Sequence, residues 1–108
     1  MRVEYNEELR MIKDEILLMS AMTEKMLSDS VAALKSQDCE LARSVIDRDD
    51  LVDAKEIELQ LVVSRVIATQ GPVATDLRRL ASTYKIITNL ERIADHAYNL
   101  AGYVKNEL

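Results

Sequence analysis

Apolar residues recur at three- and four-residue spacing from the first turns of the chain. Leu9, Ile12, Ile16, Met19, Met26 and Ala33 lie on one heptad-like seam, the spacing that keeps one stripe of an α-helix turned toward a neighbour. Thr23 and Ser30 interrupt it with small side chains, which permit close helix approach. The pattern predicts a helix over Asn6–Lys35. The segment "SQD" breaks it, and Asp38 is placed to cap the next helix. A second helix is predicted over Cys39–Thr69, with a seam of Ala42, Val45, Asp49, Val52, Glu56, Leu59, Val63 and Val66. The stretch "TQGPVAT" holds the only Gly-Pro punctuation: Gly71 suits the left-handed residue after a helix, and Pro72 cannot extend one. Thr75 or Asp76 is expected to cap a third helix that reaches Asn106. Helices of about 30 residues are about 45 Å long, and short connections make neighbours antiparallel. The expected fold is all-α, an antiparallel up-down-up three-helix bundle, as one domain over residues 1–108.

Composition supports this and narrows the function. With two Gly, one Pro, no Phe and no Trp, the chain lacks the turn residues and aromatics of a sheet protein. The net charge of −5 argues against a nucleic-acid partner, which would need clustered Lys and Arg. A single cysteine, Cys39, cannot close an internal disulfide and points to a reducing compartment. No apolar run reaches the roughly 18 residues of a membrane span, and "MRVEYNEELR" is too polar for a signal peptide. A cytoplasmic protein is expected, with docking onto a membrane complex left open. There is no nucleophile–base set and no Gly-rich phosphate loop, so catalysis is not expected.

The second seam carries acids. Asp49 and Glu56 take positions that the periodicity reserves for apolar residues, and Asp53 comes one turn after Asp49 on nearly the same face. The third helix repeats the arrangement in "NLERIADHAYNL", with Glu91 and Asp95. At 100° per residue Asp95 falls about 40° from Glu91, and Tyr84, Ile87, Tyr98 and Gly102 also lie within about 40°. Ile86, Leu90, Ile93, Ala97 and Leu100 form an apolar arc on one side, and Lys85, Arg92 and His96 lie on the other. The acidic pair is therefore expected at the margin between core and solvent. Like charges at that spacing weaken a helix by roughly 0.2–0.5 kcal/mol. If the second and third helices are neighbours, four or five carboxylates converge on one strip. Repulsion would raise their pKa values, and a bound cation would relieve it. Carboxylate oxygens suit magnesium, manganese or calcium and also hold iron or zinc. The candidate metal ligands are Asp49, Asp53, Glu56, Glu91 and Asp95. The competing reading is surface ion pairing with Arg48, Lys55 and Arg92, worth about 0–1 kcal/mol a pair. Spacing alone leaves both open.

Other residues carry less. His96 points about 100° from Asp95 and reads as a solvated surface residue. The Glu-x-x-His pattern of ferritin-like di-iron proteins is missing, because residue 93 is Ile. Met11, Met19, Met22 and Met26 read as adaptable packing. Arg78 and Arg79 are candidates for partner binding, with surface ion pairing as the plainer alternative. Cys39 has no neighbouring His and reads as incidental.

The segment "DLRRLASTYKIITNLERIADHAYNLA" resembles the signature of the PhoU domain family. There a D-L-R opening to the third helix precedes an E-R-I-x-D-x-A-x-N run. Here Asp76-Leu77-Arg78, then Glu91-Arg92-Ile93, Asp95, Ala97 and Asn99, match in order. "LARSVIDRDDLVDAKEIELQ" is similar to the family's second helix, with Asp49 and Asp53 at its acidic motif, and "MSAMTEKMLSDSVAAL" to the first. The resemblance covers essentially the whole chain. It implies a cytoplasmic helical regulator of phosphate homeostasis. Such a regulator links the ATPase of a phosphate ABC transporter to a sensor histidine kinase and represses phosphate-starvation signalling when phosphate is plentiful. It also implies iron or zinc bound by Asp49, Asp53, Glu91 and Asp95; Glu56 is added from its seam position. The usual member has two such bundles in tandem and this chain has one. A complete metal strip and partner surface would then need a second copy, from a homodimer or from further sequence. Two rival functions stay open: a structural helical adaptor that self-associates without metal, and a carboxylate-bridged metalloenzyme.

Overall fold

Three helices build nearly the whole chain. The computed structural model describes residues 2–107; Met1 and Leu108, the ends of the expected domain, lie outside the described residues. The helices are α1 (Arg2–Ser36), α2 (Cys39–Gln70) and α3 (Ala74–Glu107). Among the described residues there is no strand, and each helix packs on the other two. The fold is the expected all-α three-helix bundle, a rod of 54 × 18 × 17 Å.

The core obeys one rule. Tyr5, Ile12, Met19, Met26 and Ala33 are buried at seven-residue intervals on α1. Val45, Val52, Leu59 and Val66 repeat that interval on α2, and Leu80, Ile87, Ala94 and Ala101 on α3. A seven-residue apolar repeat keeps one stripe of each helix on the common axis through a slight left-handed supercoil. The repeat also explains why α1 begins four residues before the expected Asn6. Its seam reaches back to Tyr5, which is 4% exposed. Thr23 and Ser30 are buried on the same stripe, where their hydroxyls donate to the α1 carbonyls of Ser20 at 3.0 Å and Leu27 at 2.8 Å. Neither brings an unsatisfied donor into the core.

On α3 the core stripe differs from the expected apolar arc. Of Ile86, Leu90, Ile93, Ala97 and Leu100, only Ala97 is buried, while Ile86 and Ile93 are 47% and 39% exposed. The buried line runs through Ala94, Ala97 and Ala101, whose small side chains let α3 come close to its neighbours. The bulky isoleucines are rotated outward because alanines occupy the axis.

The connections are short and built from the caps. Gln37 takes a left-handed φ of 53°, and the Asp38 N–H donates to the Ala33 carbonyl at 3.0 Å, the Schellman closure of α1. The Asp38 side chain then accepts from the Leu41 N–H at 3.0 Å and caps α2, as its place in the sequence implies. Gly71 closes α2 in the left-handed region at φ 55°. Capping of α3 at Thr75 or Asp76 is corrected. That helix starts at Ala74, its first carbonyl acceptor is Val73 (Leu77 N–H to O 2.9 Å), and Asp76 is buried within the first turn. The fixed φ of Pro72 prepares the chain to turn immediately into a helix. None of the three helices is long and apolar enough to cross a membrane.

Two outcomes are expected from urea unfolding. Leu59→Ala, at a site 2% exposed, costs about 2–5 kcal/mol, whereas Leu61→Ala, two residues on and 66% exposed, stays within about 0.5 kcal/mol. Gln37→Gly removes the left-handed strain of a residue with a Cβ and stabilises by up to about 1 kcal/mol.

Candidate functional site

The antiparallel α2–α3 pair brings the acids together. One carboxylate oxygen from each of Asp49, Asp53 and Asp95 lies within 4.8 Å of the others. Asp49 and Asp53 come from successive turns of α2, and Asp95 from the facing turn of α3. Asp49 and Asp53 are half-buried and Asp95 is exposed, so the cluster sits at the shoulder of the rod. Glu56 and Glu91, both half-buried, are drawn into the same field from opposite helices.

Electrostatics show the strain of this grouping. Burial, then the adjoining charges of Asp53 and Asp95, push the Asp49 carboxyl up to about 6. Burial, then the neighbouring Asp95 carboxyl and the charges of Glu56 and Asp53, push Glu91 up to about 7. Glu56 is raised by burial and by Asp53 and Asp95. These are the two causes expected where like charges share a partly desolvated site. Asp49 Oδ1 is buried with no hydrogen-bond partner.

The cations nearest in sequence are committed elsewhere. Arg48 Nη2 meets Asp29 Oδ2 on α1 at 2.7 Å, and its Nε donates to the Ser44 carbonyl at 3.1 Å. Lys55 Nζ meets Glu15 Oε2 on α1 at 2.7 Å and Glu58 Oε2 at 3.5 Å. The Arg48 guanidinium holds Asp29 below the usual carboxylate range, against some opposing burial, and the Glu15 carboxylate raises Lys55. Arg92 is exposed, and among the described residues no Lys or Arg pairs with any of the five acids. The ion-pair account of the strip, through Arg48, Lys55 and Arg92, is therefore corrected. Residues 48 and 55 lie on the side of α2 turned to α1, away from α3.

Sequence reasoning missed three participants. Glu15 and Asp29 take up the α2 cations, and only knowledge of which α1 turn faces which α2 turn would have found them. Gln60 Nε2 points at Glu56 Oε2 (3.4 Å) and Thr88 Oγ1 (3.5 Å), a long polar bridge from α2 to α3 beside the acids. Its position four residues after Glu56 was the available signal. Arg78 and Arg79 are exposed near the start of α3, about 18 Å along the helix from Glu91, and take no part in the strip. His96 is exposed.

This bundle has relatives. The PhoU domain matches residues 16–104. The chain belongs to the PhoU domain family. The matched PhoU stretch contains all five acids. The chain is 40% identical over 102 residues to the phosphate-specific transport system accessory protein PhoU homolog of Clostridium acetobutylicum, covering 94% of this chain and 47% of that protein. It is 38% identical over 94 residues to the phosphate-specific transport system accessory protein PhoU of Escherichia coli K12, covering 87% of this chain and 39% of that one. The crystal structure of PhoU from Pseudomonas aeruginosa superposes with a TM-score of 0.91 at 34% identity, over 94% of this chain and 48% of that chain. The chain thus spans about half the length of the curated relatives it matches.

The PhoU acids fit a cation on their own geometry. An orphaned buried oxygen, three carboxylates converging from two helices and, among the described residues, no competing Lys or Arg make an all-oxygen donor set short of positive charge. That set suits hard cations.

The raised acids make a pH prediction for metal-free protein. Asp49 and Glu91 keep their protons to about 6 and about 7 when folded, against 3.8 and 4.5 ordinarily. Below the unfolded values they cost nothing. As pH rises through that window the folded state must give up protons that it binds more tightly than the unfolded chain, so stability is lost. In chelator, the melting temperature of the wild type should fall from about pH 4 to about pH 7 relative to an Asp49→Asn, Glu91→Gln variant. Parallel melting curves for the two proteins would show that folding does not raise these carboxyls.

Proposed function

We propose that this chain is a metal-binding regulator of phosphate uptake and phosphate-starvation signalling, acting through protein–protein contacts. The observation that carries the reading is the carboxylate strip of α2 and α3, which has no basic partner among the described residues of the bundle. Asp49, Asp53 and Asp95 would hold the cation, with Glu91 and Glu56 adjoining. A bound divalent or trivalent ion would supply positive charge that ties α2 to α3. The all-oxygen set favours iron, manganese or magnesium over zinc, whose usual sites include nitrogen or sulfur donors. The names of the relatives, accessory proteins of the phosphate-specific transport system, support the phosphate assignment. The partners proposed are the ATPase of a phosphate ABC transporter and a sensor histidine kinase. Arg78 and Arg79, exposed at one end of α3, are available to a partner's acids.

Metal analysis of protein purified without chelator tests the reading. Glu91→Ala with Asp95→Ala should lower bound metal several-fold and leave the circular dichroism of the bundle unchanged, because neither acid lies on the buried seam. A wild type that takes up no manganese, iron or zinc would leave a helical adaptor without metal as the better account. Capture of neither the ATPase nor the kinase by metal-loaded protein would count against the signalling role.

A further inference from the structure

The crest of α3, the side turned away from the other two helices, carries cations and no acid along its first five turns or so. Leu80, Ile87 and Ala94 mark the line of α3 that faces the axis. Arg78, Lys85 and Arg92 each stand two residues earlier, about 200° round the helix and so nearly opposite that line. The supercoil keeps seven-residue positions in phase, so the three form a straight row. One cation recurs about every 10.5 Å over about 21 Å. His96 stands one turn beyond Arg92 on the same crest, and all four residues are exposed.

The row is also left unneutralised. A solvated helix face ordinarily sets an acid three or four residues from each base. Around Arg78 and Lys85 those places hold Ala74, Thr75, Ala81, Ser82, Thr88 and Asn89. The chain does not lack acids, with 19 against 14 bases; it keeps them off this crest. Among the described residues, none of Arg78, Lys85 and Arg92 makes an ion pair.

We infer that the α3 crest docks an acidic α-helix of a partner protein, one that lies along α3 and repeats a carboxylate every seven residues. Three observations select that occupant. The interval of the row is that of a helix's own seven-residue repeat, so a partner's acids meet all three cations in one register, as charged positions beside a coiled-coil seam do. Ala81 and Ser82, between the first two cations, are small and leave room for a helix at close range. The row is narrow. A helix 10–12 Å wide covers it and stops short of exposed Asp95, which lies about 100° round from Ala94. A flat anionic bilayer would press its charge on Asp95 and on the Asp49 and Asp53 cluster behind it, in a chain of net charge −5. Exposed contacts of this kind are weak, fast and salt-sensitive, which suits reversible signalling. The inference rests on the reading that the chain acts through protein contacts, and not on the metal.

Fluorescence anisotropy tests it, with the 108-residue chain in chelator and low salt. The probe is a labelled Ala-rich helical peptide of about 24 residues, long enough to span the row, with Glu repeated every seven residues. Binding is expected at micromolar peptide and should fade as salt rises. Arg78→Glu, Lys85→Glu and Arg92→Glu should each weaken it about fivefold with unchanged circular dichroism. Arg43→Glu and Arg65→Glu, at exposed sites on α2, change the net charge equally and should leave the affinity within about twofold. Absence of binding overturns the inference. So does equal binding of a peptide with the same Glu content scattered round the helix, or equal loss in the α2 variants. Sedimentation with phosphatidylglycerol vesicles that the three α3 substitutions abolish would assign the crest to a membrane and overturn it as well. Peptide binding by a chain that captures neither the ATPase nor the kinase would sink the signalling reading and leave this surface standing.

Discussion

A helix in a three-membered bundle turns one residue in seven onto the common axis, with a second, flanking position between that meets a neighbouring helix. That constraint shapes everything else in this molecule. The axis is filled by Tyr5, Ile12, Met19 and Met26 on α1, by Val45, Val52 and Leu59 on α2, and by Leu80 and Ile87 on α3. The flanking positions are buried where the side chain is small or aliphatic, as at Ala42 and Val63, and only half-covered at Asp49, Glu56 and Glu91. They are dry enough to feel one another through a reduced dielectric and wet enough to be admitted at all.

The three seams are therefore chemically different. Two ion pairs lock α1 to α2, with Arg48 and Lys55 each reaching an α1 carboxylate. A long polar bridge and a surplus of negative charge mark α2 against α3. Aliphatic side chains, many of them partly exposed, line α1 against α3. Partition of charge on α2 is the decisive step. Its bases lean toward α1 and its acids toward α3, so the same helix neutralises one seam and leaves the other short of cations. One substitution on the basic side, such as Lys55→Ala, would leave Glu15 without its partner but would not touch the strip.

Much of this was legible in the sequence. Helix limits came within a few residues because Asp38 and Gly71 are strong punctuation, and the apolar spacing of α1 and α2 is unambiguous. The convergence of Asp49, Asp53 and Asp95 was readable as acids on a seam, since an acid in an apolar phase is a conflict that only tertiary structure resolves. Three things were not readable. The stripe of α3 was hidden because bulk, not burial, is visible in a sequence: Ile86 and Ile93 outweigh Ala94 and Ala101 there and yield to them in the packing. The early start of α3 hid behind Pro72. The fate of Arg48 and Lys55 depended on the axial register of two antiparallel helices, which no local pattern encodes.

Asp49 stands eleven residues beyond its Asp38 cap, about three full turns of helix. The acids thus keep a rotational phase with the first connection, and the axial residues Val52 and Leu59 keep a fixed phase of their own beside it. One residue inserted between Asp38 and Asp49 would swing the remainder of α2 by about 100° against its opening turns, trading core for carboxylate. The stretch from Gly71 to Val73 belongs to no helix, and the space around Gly71 is open. Length can change there without turning any side chain. In this rod, deletions and insertions are governed by angle rather than by distance from the site.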